Sequence, residues 1–299
     1  MSTAKNQCVL VTGASGVLGR SIVAAAENAG IAVRQGVRDP RKANPNAEAV
    51  RLDYHDASSI PPAVAGVTDL LLMAPPLDPN AASELAPVIA EAETAGVRHI
   101  VFISAFGVNH NKQAPLRVVE QLVMDSGLPY TILRPNFFME NFSEGFLAGN
   151  IKTQGAIFLA AGEGKTSFIS VRDIAAVAIA AFQKRLVGRA FDLTGPEALD
   201  HAEVAKIITE AAGRPVRYHP LTEEQMLSGA RSQGMPKPTI AYLAALYSAV
   251  RQGLAAGVTG DVEAIIGRKP MAFAEFAQAN ASAWRTPAPA MGESQTQIP

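Results

Sequence analysis

Cysteine is nearly absent: Cys8 is the only one in 299 residues. No disulfide can form within the chain, and no site needing several thiolates can be built, which fits a reducing compartment. An excess of one charge is also missing. Lys+Arg number 26 and Asp+Glu 27, a formal net charge of −1, so the basic footprint of a nucleic-acid partner is lacking. Charged residues make up 18% of the chain against 48% hydrophobic, which argues against a disordered chain and supplies a sizeable core. Long apolar runs are lacking as well. The longest uncharged ones, 174–182 and 240–250, fall far short of a membrane span.

The opening segment MSTAKNQCVLVTG carries a four-residue apolar run that stops at a glycine, too short for a signal peptide. The five histidines, His55, His99, His110, His201 and His219, show no ligand spacing, so no metal is expected. A cytoplasmic protein without a membrane or nucleic-acid partner is the expectation. Oligomeric state is not legible.

What is present is alternation. Strand-like apolar runs at 8–11, 31–37, 49–52, 69–73, 99–104 and 130–133 alternate with helical stretches at 17–29, 57–65, 81–95 and 116–126. Near-continuous apolar strands separated by helices require a parallel sheet covered on both faces. Right-handed crossovers then give an α/β, doubly wound, parallel-sheet Rossmann domain. Later segments predict helices at 173–183 and 199–212 and a strand at 190–193 that returns to the main sheet. Residues 215–284 read as one short strand and several helices. The expected organisation is a dinucleotide-binding domain over 5–195, with parts of 140–170 contributing to the cleft, and a smaller α+β substrate lobe over 196–285. The tail 286–299 mixes Pro, Gly, Ser and Gln and is expected to be disordered.

The stretch Thr12-Gly13-Ala14-Ser15-Gly16-Val17-Leu18-Gly19 is the most informative. It sets glycines in a Gly-x-x-Gly-x-x-Gly spacing between a strand and a helix. Gly13 permits a tight turn, Gly16 lets a diphosphate approach the backbone, and Gly19 lets the helix pack against the sheet. The helix N-terminus would present unpaired N–H groups to the phosphates, with Thr12, Gly13, Ser15, Gly16, Val17 and Leu18 as the cofactor-binding residues of this stretch. The second strand ends in Gln35-Gly36-Val37-Arg38, with no carboxylate before Arg38. Guanidinium pairs well with a 2′-phosphate, so NADP(H) is preferred over NAD(H).

These residues resemble the NmrA-like branch of atypical short-chain dehydrogenases, over residues 7–285. The carriers are VTGASGVLG at 11–19, VRDP at 37–40, Leu52-Asp53-Tyr54 and LLLMAPP at 70–76. They continue with HIVFISA at 99–105, VEQLVMDSGLPYTILRPNFFMEN at 119–141, ISVRDIAAVA at 169–178, FDLTGPEAL at 191–199 and the segment 267–270 before Trp284. That group includes NADPH-quinone oxidoreductases, triphenylmethane reductases, ergot-type iminium reductases and non-catalytic NADP-sensing regulators. The resemblance implies Asp53 and Tyr54 near the adenine, and Met73, Ala74 and Pro75 along the cofactor. It also implies Ser104 close to the nicotinamide ribose, and Pro135, Asn136, Phe137 and Phe138 flanking the nicotinamide.

One departure from the wider superfamily bears on chemistry. Its enzymes usually carry a Tyr-x-x-x-Lys pair on the helix after the fifth strand, whereas here that helix reads Leu116-Arg117-Val118-Val119-Glu120-Gln121-Leu122. An electron-poor acceptor needs little or no general acid at the hydride step, but a simple ketone does. An NADPH-dependent reductase of quinone-like or iminium-like aromatic acceptors is therefore the expected activity. The alternatives are a non-catalytic NADP(H)-sensing binding protein, and a carbonyl reductase or epimerase with an unrecognised proton donor. Phe106, Phe137, Phe138, Phe142 and Phe168 fall in segments expected to face the cleft, with Asn141 as a further acceptor contact. His110 and Asn136 are the candidates for catalysis.

Overall fold

The computed structural model describes residues 7–45 and 47–285, so the expectation for the 286–299 tail lies outside the described residues. The elements run β1 (Cys8–Thr12), α1 (Val17–Asn28), β2 (Ala32–Val37), β3 (Glu48–Arg51), α2 (Ile60–Val64), β4 (Asp69–Met73) and α3 (Ala81–Thr94). β5 (Ile100–Ile103), α4 (Pro115–Asp125), β6 (Tyr130–Pro135), α5 (Ala148–Gln154), β7 (Ala156–Leu159), α6 (Val171–Lys184) and β8 (Arg189–Leu193) follow. The chain continues through α7 (His201–Ala212), β9 (Arg217–Pro220), α8 (Glu223–Ser232), α9 (Lys237–Arg251), α10 (Asp261–Ile266) and α11 (Phe273–Ala279).

Seven strands form one sheet in the order β3-β2-β1-β4-β5-β6-β8, every pairing parallel. The order reverses between β1 and β4, and ligands of such sheets bind at that switch, beyond the carboxyl ends of the strands. Successive side chains of a strand point to opposite faces. Val9, Val11, Leu71, Val101 and Ile103 accordingly pack with α1, α6 and α10. Leu10, Leu70, Leu72, Ile100 and Phe102 pack with α2, α3 and α4. The expected doubly wound Rossmann architecture is the one observed.

Local chemistry sets the boundaries. The expected helix over 57–65 splits into a 3-10 turn, Ala57–Ser59, and the short α2. Asp56 accepts the Ser58 N–H to start the turn, and Pro61 and Pro62 can donate no backbone hydrogen bond. The expected start of α7 at Leu199 moves to His201 because Asp200 caps it, accepting from the N–H groups of Ala202 and Glu203.

The smaller lobe has its own core. Met139, Phe142, Leu147, Ile151, Ile157 and Phe168 pack with Val204, Ile208, Tyr247, Phe273, Phe276 and Trp284. β7 pairs in parallel with β9, and Trp284, fully buried, donates its indole N–H to the Phe142 carbonyl at 2.6 Å. The lobe therefore draws on residues 139–168 as well as on the later chain, while α10 sits with the sheet core.

Candidate functional site

The glycine turn lies at the carboxyl end of β1, beside the switch. Gly13 has φ +61°, in the left-handed region that glycine tolerates, and its carbonyl accepts the Gly16 N–H at 3.0 Å. Gly16 leads into α1 with extended backbone, and no side chain caps the helix. A Cβ on Gly19 would stand 2.2 Å from the Gly13 oxygen and 2.7 Å from the Ala14 Cα, so only glycine lets α1 seat against the turn. Gly13 and Gly16 are both exposed. An exposed, uncapped helix N-terminus of this shape fits the diphosphate of a dinucleotide.

Across the switch, the main chain of Met73 is pinned from two sides. Its N–H donates to Thr12 Oγ1 at 2.9 Å, and its carbonyl accepts the Tyr54 hydroxyl at 2.8 Å. Burial pushes the Tyr54 phenol well above its ordinary range, so it stays a neutral donor. Thr12, Tyr54 and Met73 thus meet beside the turn, with Ala74 and Pro75 following Met73 half-buried. Asp53 is engaged locally, accepting the His55 N–H at 3.1 Å and lying 3.5 Å from Arg51.

At the end of β2 the side chains divide their work. The Asp39 carboxylate accepts the Arg41 Nε and Nη2 at 2.9 and 3.0 Å and the Arg41 backbone N–H at 3.1 Å. That pairing holds the Asp39 carboxyl below its usual range. Arg38, in contrast, is exposed and makes no side-chain hydrogen bond or ion pair among the described residues.

The helix after β5 carries a buried charge cluster. Glu120 of α4 is 0% exposed, and three side chains converge on it. Arg134 donates from Nε and Nη2 at 2.7 and 2.9 Å, Arg117 from Nη1 at 2.7 Å, and Ser104 from its hydroxyl at 2.7 Å. Burial alone would raise the Glu120 carboxyl, but the hydrogen bonds from Arg134, Ser104 and Arg117 prevail and hold it below the ordinary carboxylate range. An ionised carboxylate only accepts. The single proton of Ser104 is therefore committed to Glu120, and only its lone pairs can face the crevice.

Past β6 and β5 aromatic side chains border the crevice. Phe106 N–H donates to the Pro135 carbonyl at 2.9 Å, which sets the loop after β5 against the end of β6. Phe106 and Phe137 are half-buried, and Phe137 lies 6.1 Å from the Tyr247 ring. Phe138 is half-buried and packs against the sheet core. Asn141, also half-buried, follows in the next turn.

Three expected contacts do not hold. Phe142 and Phe168 are 1% and 3% exposed and stack edge-on to each other at 5.3 Å inside the lobe core, with no surface for an acceptor. Asn136 is 4% exposed and has spent its polar hydrogens: Nδ2 donates to Ser167 Oγ at 2.7 Å and to the Ala255 carbonyl at 2.8 Å. Its Oδ1 accepts the Phe137 N–H at 3.0 Å, so it acts on structure rather than on a reacting atom. The other candidate for catalysis, His110, is exposed at the end of a 3-10 turn, its ring 3.5 Å from the Asn109 amide.

Glu120, Arg134, Ser167 and Tyr247 were not singled out from the sequence. The one legible signal was Glu120, a charge on the helix face that also carries the buried Val119 and Val123. Among the described residues no group of three or more His, Cys, Asp or Glu is placed to hold a metal, and no helix is long and apolar enough to cross a membrane.

A parallel sheet with a glycine turn at its switch point defines a dinucleotide-binding protein of the Rossmann kind. The chain belongs to the NmrA-like family, whose model matches residues 5–277. It is 36% identical to an NAD(P)H azoreductase of Xenophilus azovorans over 287 residues, covering 92% of this chain and 99% of that protein. An NADPH-dependent quinone oxidoreductase of Escherichia coli, solved with NADPH, superposes with a TM-score of 0.78 at 25% identity, covering 91% of this chain and 99% of the other. The triphenylmethane reductase of Citrobacter sp., solved with NADP(H), gives 0.77 at 25% identity over 92% and 99% of the two chains.

Proposed function

We propose that this NAD(P)H-dependent oxidoreductase prefers NADP(H) and reduces electron-poor aromatic acceptors, quinone-like or iminium-like, by direct hydride transfer. When bound, the reduced nicotinamide supplies the hydride. The turn at Gly13, Ser15 and Gly16 and the following N–H groups of Val17 and Leu18 hold the diphosphate. Arg38 pairs with the 2′-phosphate, a role its unengaged guanidinium supports. Asp53 and Tyr54 border the adenine, Met73 to Pro75 the middle of the cofactor, and Pro135 and Phe138 the nicotinamide. Phe106 and Phe137 hold the flat acceptor, and excluding water there strengthens its placement.

The observation that carries this reading is the Ser104 hydroxyl donating to Glu120 at 2.7 Å on a helix with neither Tyr nor Lys. The crevice has no side-chain acid at that place, so a simple ketone would develop its oxyanion unprotonated. A cationic acceptor is neutralised by the hydride itself, and a quinone yields a stabilised anion that water protonates. Purified protein with NADPH and a panel of quinones, iminium ions and cationic dyes tests the reading, with cofactor oxidation followed at 340 nm. Rates no faster than the blank across the panel would refute it.

The same committed proton favours a second reading, a non-catalytic NADP(H)-sensing protein. Tight cofactor binding without turnover, together with a partner whose affinity changes with NADP(H), would select it. Linkage requires such a partner to change the cofactor affinity by the same factor.

A further inference from the structure

We propose that the loop joining α9 to α10, residues 252–260, is the acceptor-selecting rim of the crevice, with Leu254 and Val258 as its specificity-determining side chains and Asn136 as the residue that positions it. The proposal rests on the reductase reading above and adds which part of the acceptor the protein discriminates.

The loop has no regular structure, yet alternate residues are fastened to the sheet. The Ala255 carbonyl accepts the Asn136 amide at 2.8 Å and the Ser167 N–H at 3.1 Å. The Gly257 carbonyl accepts the Ser167 hydroxyl at 2.6 Å. The Thr259 N–H donates to Thr194 Oγ1 at 3.0 Å, and its hydroxyl donates to the Asp192 carbonyl. These anchors stand at or beside the carboxyl ends of β6 and β8, so the loop crosses that end of the sheet. Gly257 lies against Phe106, where an added Cβ would come within 3.0 Å of the ring.

Leu254 precedes the first anchor, and Val258 stands between the last two. Leu254 is 64% exposed and Val258 50%, and both belong to the few large apolar side chains left in water among the described residues. The loop that carries them meets Phe106 at Gly257, which sets them beside the crevice that Phe106 and Phe137 line. A one-ring acceptor is covered by the two phenylalanines and ends below the lip. An acceptor with two or more fused or linked rings extends past them, and its outer ring is the surface that Leu254 and Val258 remove from water. Asn136 acts through the loop: its two donated hydrogen bonds fix Ala255 directly and Gly257 by way of Ser167.

The test compares 9,10-phenanthrenequinone with 1,4-benzoquinone in wild type and in the Leu254→Ser/Val258→Ser double variant, whose side chains are exposed and whose fold is not at risk. The expected result is a KM for phenanthrenequinone raised about tenfold, with the benzoquinone KM, kcat and the NADPH Kd unchanged. Asn136→Ala should give the same acceptor-dependent split, together with faster hydrogen exchange at 255–259 that Asn136→Ala-independent regions do not show. Equal KM changes for both quinones, or none for either, would overturn the proposal. If wild type turns over neither quinone, the wider panel of iminium ions and cationic dyes decides the reductase reading separately. Equilibrium dialysis of phenanthrenequinone on the NADP⁺-loaded protein then decides the rim: weaker binding to the double variant supports it, and equal binding overturns it.

Discussion

The two sides of the crevice are held by different means. Around the glycine turn, geometry is set by the main chain: Gly13 takes a left-handed φ, Gly19 has no room for a Cβ, and Met73 is fixed through its own N–H and C=O. On the acceptor side, side chains far apart in sequence do the work. Glu120 collects Ser104, Arg117 and Arg134, and Asn136 reaches Ala255 across 119 positions. A turn made of backbone leaves a spacing that can be read from residue types. A network of side chains leaves only scattered polar residues, each ordinary by itself.

The contrast can be broken by mutation on either side. The largest effect is expected at Glu120→Ala, which strands two arginines in a buried site and should cost about 3–5 kcal/mol in urea unfolding. A loss below about 1 kcal/mol would show that the cluster does not hold this side together. On the backbone side, Gly19→Ala should destabilise by about 2–3 kcal/mol, because the helix must leave the turn. Gly16→Val is the control. Its Cβ stands 3.3 Å from the Gly13 oxygen, so the chain should still fold while NADPH affinity falls about a hundredfold in calorimetry. Retained affinity in a folded Gly16→Val protein would remove the turn from cofactor binding.

Acid sharpens the comparison within the side-chain networks. Thr131 gives its hydroxyl proton to the Leu186 carbonyl, so His99 must donate to Thr131 from Nε2, leaving Nδ1 bare. His201 is enclosed by Phe142, Phe168 and Tyr218, also with an unpartnered Nδ1. Burial lowers both imidazoles to about 4, with Arg185 adding to the effect at His99. The unfolded chain then binds more protons than the native one below pH ~6.5. The contribution of these two histidines should be level above that pH and fall as pH drops toward 4, by up to about 3 kcal/mol each. His201→Phe should remove part of that slope, and an unchanged slope in that variant would exclude His201 as a source. The smallest expected effect is at the surface. Arg38→Ala should weaken NADPH about tenfold and leave NADH alone, and equal losses would mean that Arg38 does not read the 2′-phosphate.

Legibility followed the same division. β4 was readable to the residue at Asp69–Met73, because a buried parallel strand is a continuous apolar run between turns. β7 was missed. Ala156–Leu159 is a four-residue apolar run whose partner, β9, lies some sixty positions onward, and nothing local distinguishes it from a helix segment. Phe142 and Phe168 failed for a related reason: a phenylalanine beside a cleft and one beneath it look identical until the packing is known. Asn136 was visible as a polar residue just past the sixth strand, but not as one whose hydrogens were already given away.

The buried carboxylate of α4 also limits how this scaffold can be remodelled. Grafting a tyrosine and a lysine onto that helix to reach ketones would set a third cation near Arg117 and Arg134, while Ser104 stayed turned toward Glu120. Installing such a pair is therefore a coordinated exchange of at least these four residues, and single substitutions along the way pass through less stable proteins.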